Sequence, residues 1–321
     1  MAAALPLAAA PREEFIFEEA PFPSCHASTI LETKTGELLA AWFGGSDEGE
    51  PDVAIWMSRK GPDGWSAPEE MARHEGVPTW NPVLFRSADG VTWLFYKFGP
   101  SPRDWTGAYR KSLDDGQTWS DWEQMAAGLL GPIRNKPLLL EDGTIISGTS
   151  VESYRAWASW VERSEDNGET WTKHGPITHP EQPYGIIQPA IVPIRGGLRM
   201  FVRARNIGEI CSADSFDGGL TWGPALETEL PNPNSGIDAV RLADGRIVMI
   251  YNHTSRGRTP LNLAVSADDG RTWKPFLELE TAPGEYSYPA IIQATDGVIH
   301  ATYTWKRERI KHVAVPLADV P

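Results

Sequence analysis

Ser112-Leu-Asp-Asp-Gly-Gln-Thr-Trp119 recurs as Ser164-Glu-Asp-Asn-Gly-Glu-Thr-Trp171, Ser215-Phe-Asp-Gly-Gly-Leu-Thr-Trp222 and Ser266-Ala-Asp-Asp-Gly-Arg-Thr-Trp273. The steps are 52, 51 and 51 residues, and a weaker copy, Ser58-Arg-Lys-Gly-Pro-Asp-Gly-Trp65, stands 54 residues before the first. A fixed period of this size marks stacked or radial repeats. Asp and Asn accept bonds from nearby amides and Gly takes positive φ, so Asp-x-Gly reads as a tight hairpin. The Thr-Trp that follows starts the next strand, with the indole over the turn. The octet is therefore expected to be scaffold, and the chemistry must be sought elsewhere.

A second repeat lies between the octets. Short apolar strands open at His26-Ala-Ser-Thr-Ile30, Asn81-Pro-Val-Leu-Phe85, Lys136-Pro-Leu-Leu-Leu140, Gln188-Pro-Ala-Ile-Val192, Ile237-Asp-Ala-Val-Arg241 and Tyr288-Pro-Ala-Ile-Ile292. Each closes at a Gly turn: Gly36, Asp89-Gly90, Asp142-Gly143, Gly196-Gly197, Asp244-Gly245 and Asp296-Gly297. Second strands are expected at Leu38–Phe43, Thr92–Phe98, Ile145–Thr149, Leu198–Arg203, Ile247–Tyr251 and Ile299–Tyr303. A third strand ends at the octet and a fourth leaves it. Four antiparallel strands repeated six times predict an all-β, six-bladed β-propeller. Six first strands against five octets mean that the last blade closes differently, with Phe15–Phe17 as the strand that pairs near Val313–Val315 and covers a sheet edge. The expected organisation is a disordered tail over 1–12 and a single domain over 13–318.

The octet is an Asp box, and with it the chain resembles the sialidase (neuraminidase) superfamily. His-Ala-Ser-Thr-Ile, Gly-Pro-Ile-Arg-Asn-Lys-Pro, Asn-Pro-Asn-Ser-Gly-Ile-Asp and Ser-Tyr-Pro-Ala are most similar to the Asp-box, sialidase-like proteins of bacteria and plants. The resemblance covers nearly the whole chain. It implies the propeller strongly and a glycan-processing role less so, because many β proteins carry such boxes.

The 43 acidic and 29 basic residues give a formal charge of −14, which argues against nucleic acid and anionic membrane surfaces. There are 14 Trp; four sit in the good boxes, leaving the rest for core packing or sugar stacking. Trp42, Trp105, Trp157 and Trp305 are the candidate platforms. Cys25 and Cys211 define no disulfide framework. Met1–Ala10 is small and apolar without a basic n-region, so cytoplasmic and secreted locations both stay open, as does the oligomeric state. No Cys/His set has zinc spacing and no Gly-rich loop leads from a strand into a helix, so neither a metal nor a nucleotide cofactor is expected.

In a propeller the first strands ring a channel, so function should arise from their entrances and from the loops after second strands. The resemblance then implies roles residue by residue. Where the family opens its first strand with an Arg that holds the substrate carboxylate, this chain has His26. The loop Gly44-Gly-Ser-Asp47-Glu48-Gly-Glu50-Pro-Asp52 matches the place of the general acid, with Asp47 and Glu48 the best fits. Four carboxylates within six residues repel one another, so one is expected to hold its proton toward neutral pH. Arg203 matches the second family Arg, and Arg258 or Arg256 the third. Two guanidiniums converging on an axis imply an anionic ligand. Tyr288 matches the family's Tyr nucleophile, and Gln188 stands where its activating Glu belongs, so Glu285, Glu152 or His26 would have to serve as base. Asn81, Lys136, Asp238 and Glu152 complete the candidate binding set, with Trp80 and Asn135 beside them.

Three functions are compatible with these residues. The first is a hydrolase removing a terminal acidic sugar, sialic acid-like or uronate-like, from an oligosaccharide or glycoconjugate. The second is a lyase or rhamnosidase on rhamnose–glucuronate linkages with His26 at its centre. The third is a glycan-binding propeller without turnover.

Overall fold

The computed structural model describes residues 11–321. Six antiparallel sheets follow one another along the chain. Blade 1 comprises Ser24–Glu32, Leu38–Gly45, Ala54–Gly61 and Gly64–Trp65, with Glu69–Ala72 also pairing the third strand. Blades 2 to 5 open at Thr79–Arg86, Leu138–Leu139, Ile186–Ile194 and Asp238–Arg241, and each has four strands. Blade 6 takes three strands from the C-terminal region, Tyr286–Gln293, Ile299–Trp305 and Arg309–Val315, and its fourth, Arg12–Phe15, from the N-terminal region. The chain is an all-β six-bladed propeller whose ring is closed by its own N-terminal strand.

That closing strand runs Arg12–Phe15, with Arg12 opposite Ala314 and Phe15 opposite Lys311, rather than Phe15–Phe17. Ile16 and Phe17 instead turn into the core, where Phe17 stacks on Trp42 at 5.0 Å. Of the expected tail over 1–12, residues 1–10 lie outside the described residues, and Arg12 already belongs to a strand. Trp42 is fully buried and so is core, not a platform; Trp105 packs on Trp80 and Ile133. Cys25 and Cys211 are both free and buried, and burial pushes both thiols up.

The boxes act as wedges between blades. In the first, Gly116 N–H donates to Ser112 Oγ (2.7 Å) and Thr118 N–H to Asp114 Oδ1 (2.8 Å). Side-chain and backbone bonds from Thr118 lower the Asp114 carboxyl to about 2, and Asp166, Asp217 and Asp268 are held equally low. Each box glycine abuts the second strand of the preceding blade: Leu39 at Gly116, Trp93 at Gly168, Ile146 at Gly219 and Phe201 at Gly270. A Cβ at Gly270, where φ is +80°, would stand 2.5 Å from Phe201 Cζ. Close approach and positive φ together require glycine there, so the spacing of the boxes is the spacing of the blades.

Four first strands carry the same irregularity. The register breaks between His26 and Thr29, Trp80 and Val83, Ile187 and Ala190, and Ser287 and Ala290. Inside each bulge one residue has positive φ: Ala27 (60°), Asn81 (39°), Gln188 (60°) and Tyr288 (47°). A bulge leaves one residue unpaired and re-aims its side chain. Pro82, Pro189 and Pro289 follow three of these residues at positions that owe no ladder hydrogen bond. The blade 1 counterpart of Tyr288 is therefore Ala27. His26 stands one residue earlier, level with Trp80, Ile187 and Ser287, which corrects the alignment by pentads.

Candidate active site

The bulges of blades 4 and 6 bring Gln188 and Tyr288 together. The Tyr288 hydroxyl meets Arg203 Nη1 (2.9 Å) and Gln188 Nε2 (3.2 Å), while Arg203 Nε donates to Asn234 Oδ1 (2.8 Å). Arg203 is the penultimate residue of the second strand of blade 4, Gly197–Ala204, one residue short of the strand end that its sequence register predicts for it. The phenolic oxygen thus faces two N–H donors, a setting that compensates negative charge developing on it. No carboxylate among the described residues bonds to it. Glu285, the nearest candidate base in sequence, is occupied by Arg258 (2.9 Å), Arg307 (2.7 Å) and Ser287 (3.1 Å). Burial pulls the Glu285 carboxyl up, but the two guanidiniums outweigh it and leave it below the usual range.

The site holds more cationic groups than the sequence motifs indicate. Guanidiniums of Arg134, Arg203 and Arg258 lie 5.1, 5.7 and 5.8 Å from the Tyr288 ring centroid. Arg307 joins them through Glu285 and through Glu48 (2.6 Å). Arg256 is exposed on its loop and makes none of these contacts, so Arg258 is the residue that reaches the site. Arg134 and Arg307 were not singled out from the sequence. Arg134 lies inside Gly-Pro-Ile-Arg-Asn-Lys-Pro, and this entrance to the third first strand was the available signal. Arg307 lies in a turn where Lys306 and Arg307 both have positive φ, and nothing local marks it.

Arg134 is 2% exposed and spans the channel. It donates to Asn135 Oδ1 of its own blade, to the Ile237 carbonyl of blade 5 (3.3 Å) and to the Pro289 carbonyl of blade 6. Burial pushes the guanidinium down to about 10. Its loop is held from below. Buried Glu162 accepts the amides of Leu130 (3.0 Å) and Gly131 (2.7 Å), and buried Lys97 donates to the Pro132 carbonyl. Lys136 Nζ reaches Asp238 (2.8 Å) and the Ala239 carbonyl (3.0 Å), while Asp238 also accepts Ile291 N–H (2.9 Å). Lys136 and Asp238, expected to face a ligand, therefore satisfy each other and lock blades 3, 5 and 6. Asn81 does the same between blades 2 and 3, donating to the Ile133 carbonyl (3.2 Å). These bonds tie blades across the ring, and Tyr288 rests against Arg134, the residue that makes two of them.

His26 is buried behind Tyr288, its ring 4.1 Å from the Tyr288 ring and edge-on to it. Nδ1 meets Thr304 Oγ1 (2.9 Å), and Nε2 has no hydrogen-bond partner. Burial, then the charges of Arg307, Arg258, Arg134 and Arg203, hold the imidazole well below its ordinary pKa, so it is neutral. On the acidic loop, Asp47 accepts Glu48 N–H (2.8 Å) and Asp52 accepts the amide and hydroxyl of Ser46 (2.9 and 2.7 Å). Asp47, Glu48 and Asp52 thus each have a separate partner. Glu152, half-buried beyond Trp157, is different: burial pushes its carboxyl up, Arg203 and Arg205 oppose this, and Glu48 adds to it.

This arrangement sets arginines and a tyrosine from different blades around one mouth of a propeller. The family model for the BNR repeat-like domain matches residues 36–301. The chain belongs to the BNR repeat-like domain family, within the sialidase superfamily. This BNR-repeat chain is 25% identical over 235 residues to a sialidase of Bacteroides fragilis, covering 65% of this chain and 41% of the relative. It is 24% identical over 338 residues to a sialidase of Micromonospora viridifaciens, covering 88% and 50%. The chain therefore spans half or less of the length of these curated relatives. Among solved structures, the NanB sialidase of Streptococcus pneumoniae superposes with a TM-score of 0.80 at 13% identity, over 96% of this chain and 71% of that one. At that identity the likeness is one of fold. No helix among the described residues is long and apolar enough to cross a membrane.

Proposed function

We propose that this BNR-repeat propeller is a sialidase-like glycoside hydrolase that removes a terminal acidic sugar, sialic acid-like or uronate-like, from an oligosaccharide or glycoconjugate. The observation that carries the reading is the convergence of Arg203, Arg258 and Arg134 on Tyr288, in a chain whose net charge is −14. Arg203 and Arg258 grip the carboxylate, for which planar guanidiniums are suited. Tyr288 faces the reacting carbon as nucleophile or as stabiliser of the cationic transition state. A neutral tyrosine suits this place, because an anionic nucleophile would be repelled by the substrate carboxylate. Glu152 is the preferred proton donor to the leaving oxygen, since burial favours its neutral form. Asp47 is exposed and turned onto its own loop, and Glu48 is paired with Arg307.

A second reading, binding without turnover, is favoured by Gln188 at the Tyr288 hydroxyl, since an amide cannot accept the phenolic proton. Fluorogenic sialosides and uronosides separate the two, with Arg203→Ala as control. Product release by the wild type and its loss in the variant support hydrolysis. Calorimetric binding without product, lost in Arg203→Ala, supports the binding module. No binding of any acidic sugar sinks both. An unsaturated uronate chromophore that disappears in His26→Ala would instead support elimination.

A further inference from the structure

Beside the Tyr288 site lies a cavity of about 380 Å³, lined by Ser101, Pro102, Arg103, Glu152, Ser153, Tyr154, Trp157 and Arg205. The two are joined by Trp157, whose ring has Arg205 at 4.1 Å and Arg203 at 5.8 Å. Tyr154 is 74% exposed and carries Arg103 at 5.3 Å and Arg155 at 5.8 Å from its ring. Among the described residues, none of Arg103, Arg155 and Arg205 has a carboxylate partner. The Arg205 guanidinium makes only long bonds, to the carbonyls of Arg155 (3.4 Å) and Tyr184 (3.5 Å). Glu152 is the one acidic group in the lining, and it faces Arg203 and Arg205. On a chain whose net charge is −14, this places three guanidiniums without ion-pair partners around one cavity. They are combined with two aromatic faces of the kind on which a sugar ring stacks.

We propose that this cavity is a second subsite, which takes the sugar next to the terminal one and selects a unit that itself bears a carboxylate or sulfate. The inference rests on the acidic-sugar reading above and narrows it, making the favoured ligand an oligosaccharide with two neighbouring anionic units. Arg203 serves the terminal carboxylate. Arg205 and Arg103 serve the second anion, and Tyr154 offers its exposed ring to the sugar between them.

The test is calorimetry on the full chain with pairs of disaccharides differing only in whether the second unit carries a carboxylate, in a sialic acid series and a uronate series. Wild type is expected to bind the doubly charged member about ten-fold more tightly, near 1.4 kcal/mol. Arg103→Gln/Arg205→Gln should abolish that preference and leave the singly charged member unchanged. Arg203→Ala should lose both. Tyr154→Ala, at an exposed position that folding does not need, should weaken the disaccharides relative to the terminal monosaccharide. Equal wild-type affinities within each pair, or a preference that survives the double variant, would overturn the second subsite and leave the first reading intact. Failure of every acidic sugar to bind would overturn the first reading, and the subsite with it.

Discussion

Replacing Arg134 by Met separates two effects that a buried arginine combines. The guanidinium bonds to the Ile237 and Pro289 carbonyls and to Asn135 Oδ1. Removing a donor from buried acceptors costs about 1–3 kcal/mol each, so the three together cost roughly 3–9 kcal/mol. Against this stands the cost of burying the charge. A shift from 12.5 to about 10 corresponds to about 3 kcal/mol at 1.36 kcal/mol per unit, and Met avoids it while filling similar space. The net loss should be about 0–6 kcal/mol, smaller than the bond count alone implies. The functional loss should be larger. Tyr288 rests against this guanidinium at 5.1 Å, and misplacing a reacting group by about 1 Å can cost about 100-fold. Urea unfolding followed by Trp fluorescence measures the first effect, and kcat/KM on the fluorogenic acidic glycoside, or affinity for its acidic product, measures the second. The argument fails if the variant loses more than about 6 kcal/mol, or if it keeps wild-type affinity and turnover. The first outcome would mean that Arg134 is chiefly a structural staple, the second that it has no bearing on Tyr288.

If Glu152 is the proton donor, it works only while protonated, so kcat/KM should fall as pH rises through its elevated pKa. Glu152→Gln should remove that alkaline limb and cost least with leaving groups that need no proton. A pH profile unchanged by the substitution would return the acid role to Glu48. The box carboxylates Asp114, Asp166, Asp217 and Asp268 have folded pKa values of about 2, below their ordinary 3.8. Their stabilisation is present above about pH 4 and disappears as pH falls through 2. Asp217→Asn should therefore lower stability at neutral pH and flatten its decline between pH 4 and 2, as read by circular dichroism. Gly270→Ala combines a φ of +80° with a Cβ 2.5 Å from Phe201 and should cost more than about 2 kcal/mol in urea unfolding. Gly218→Ala meets no atom within 4 Å and should cost only its φ strain.

The propeller was legible in the chain because its causes are local and repeated. Each box builds a turn from its own Ser, Asp, Gly and Thr, and each is followed by an apolar strand, a Gly turn and another strand. Arg203, Gln188 and Tyr288 could be placed because each stands at a fixed point of such a unit. The one-residue displacement of His26 from the bulge position escaped because blade 1 has Ala27-Ser28 where three other blades have a residue followed by Pro. Without the proline, only strand pairing reveals which residue is unpaired.

Local sequence thus dictated the number of blades, their order and the face on which a site could form. Ring closure decided what the site contains. It carries Arg134 across to blades 5 and 6, sets Arg307 between Glu285 and Glu48, and ties Lys136 to Asp238 instead of leaving both for a ligand. These contacts join residues far apart in the chain, and no short window encodes which charge will meet which. A hydrogen-bonded turn can be read where it is written, whereas a meeting across a channel exists only once all six blades have closed around it.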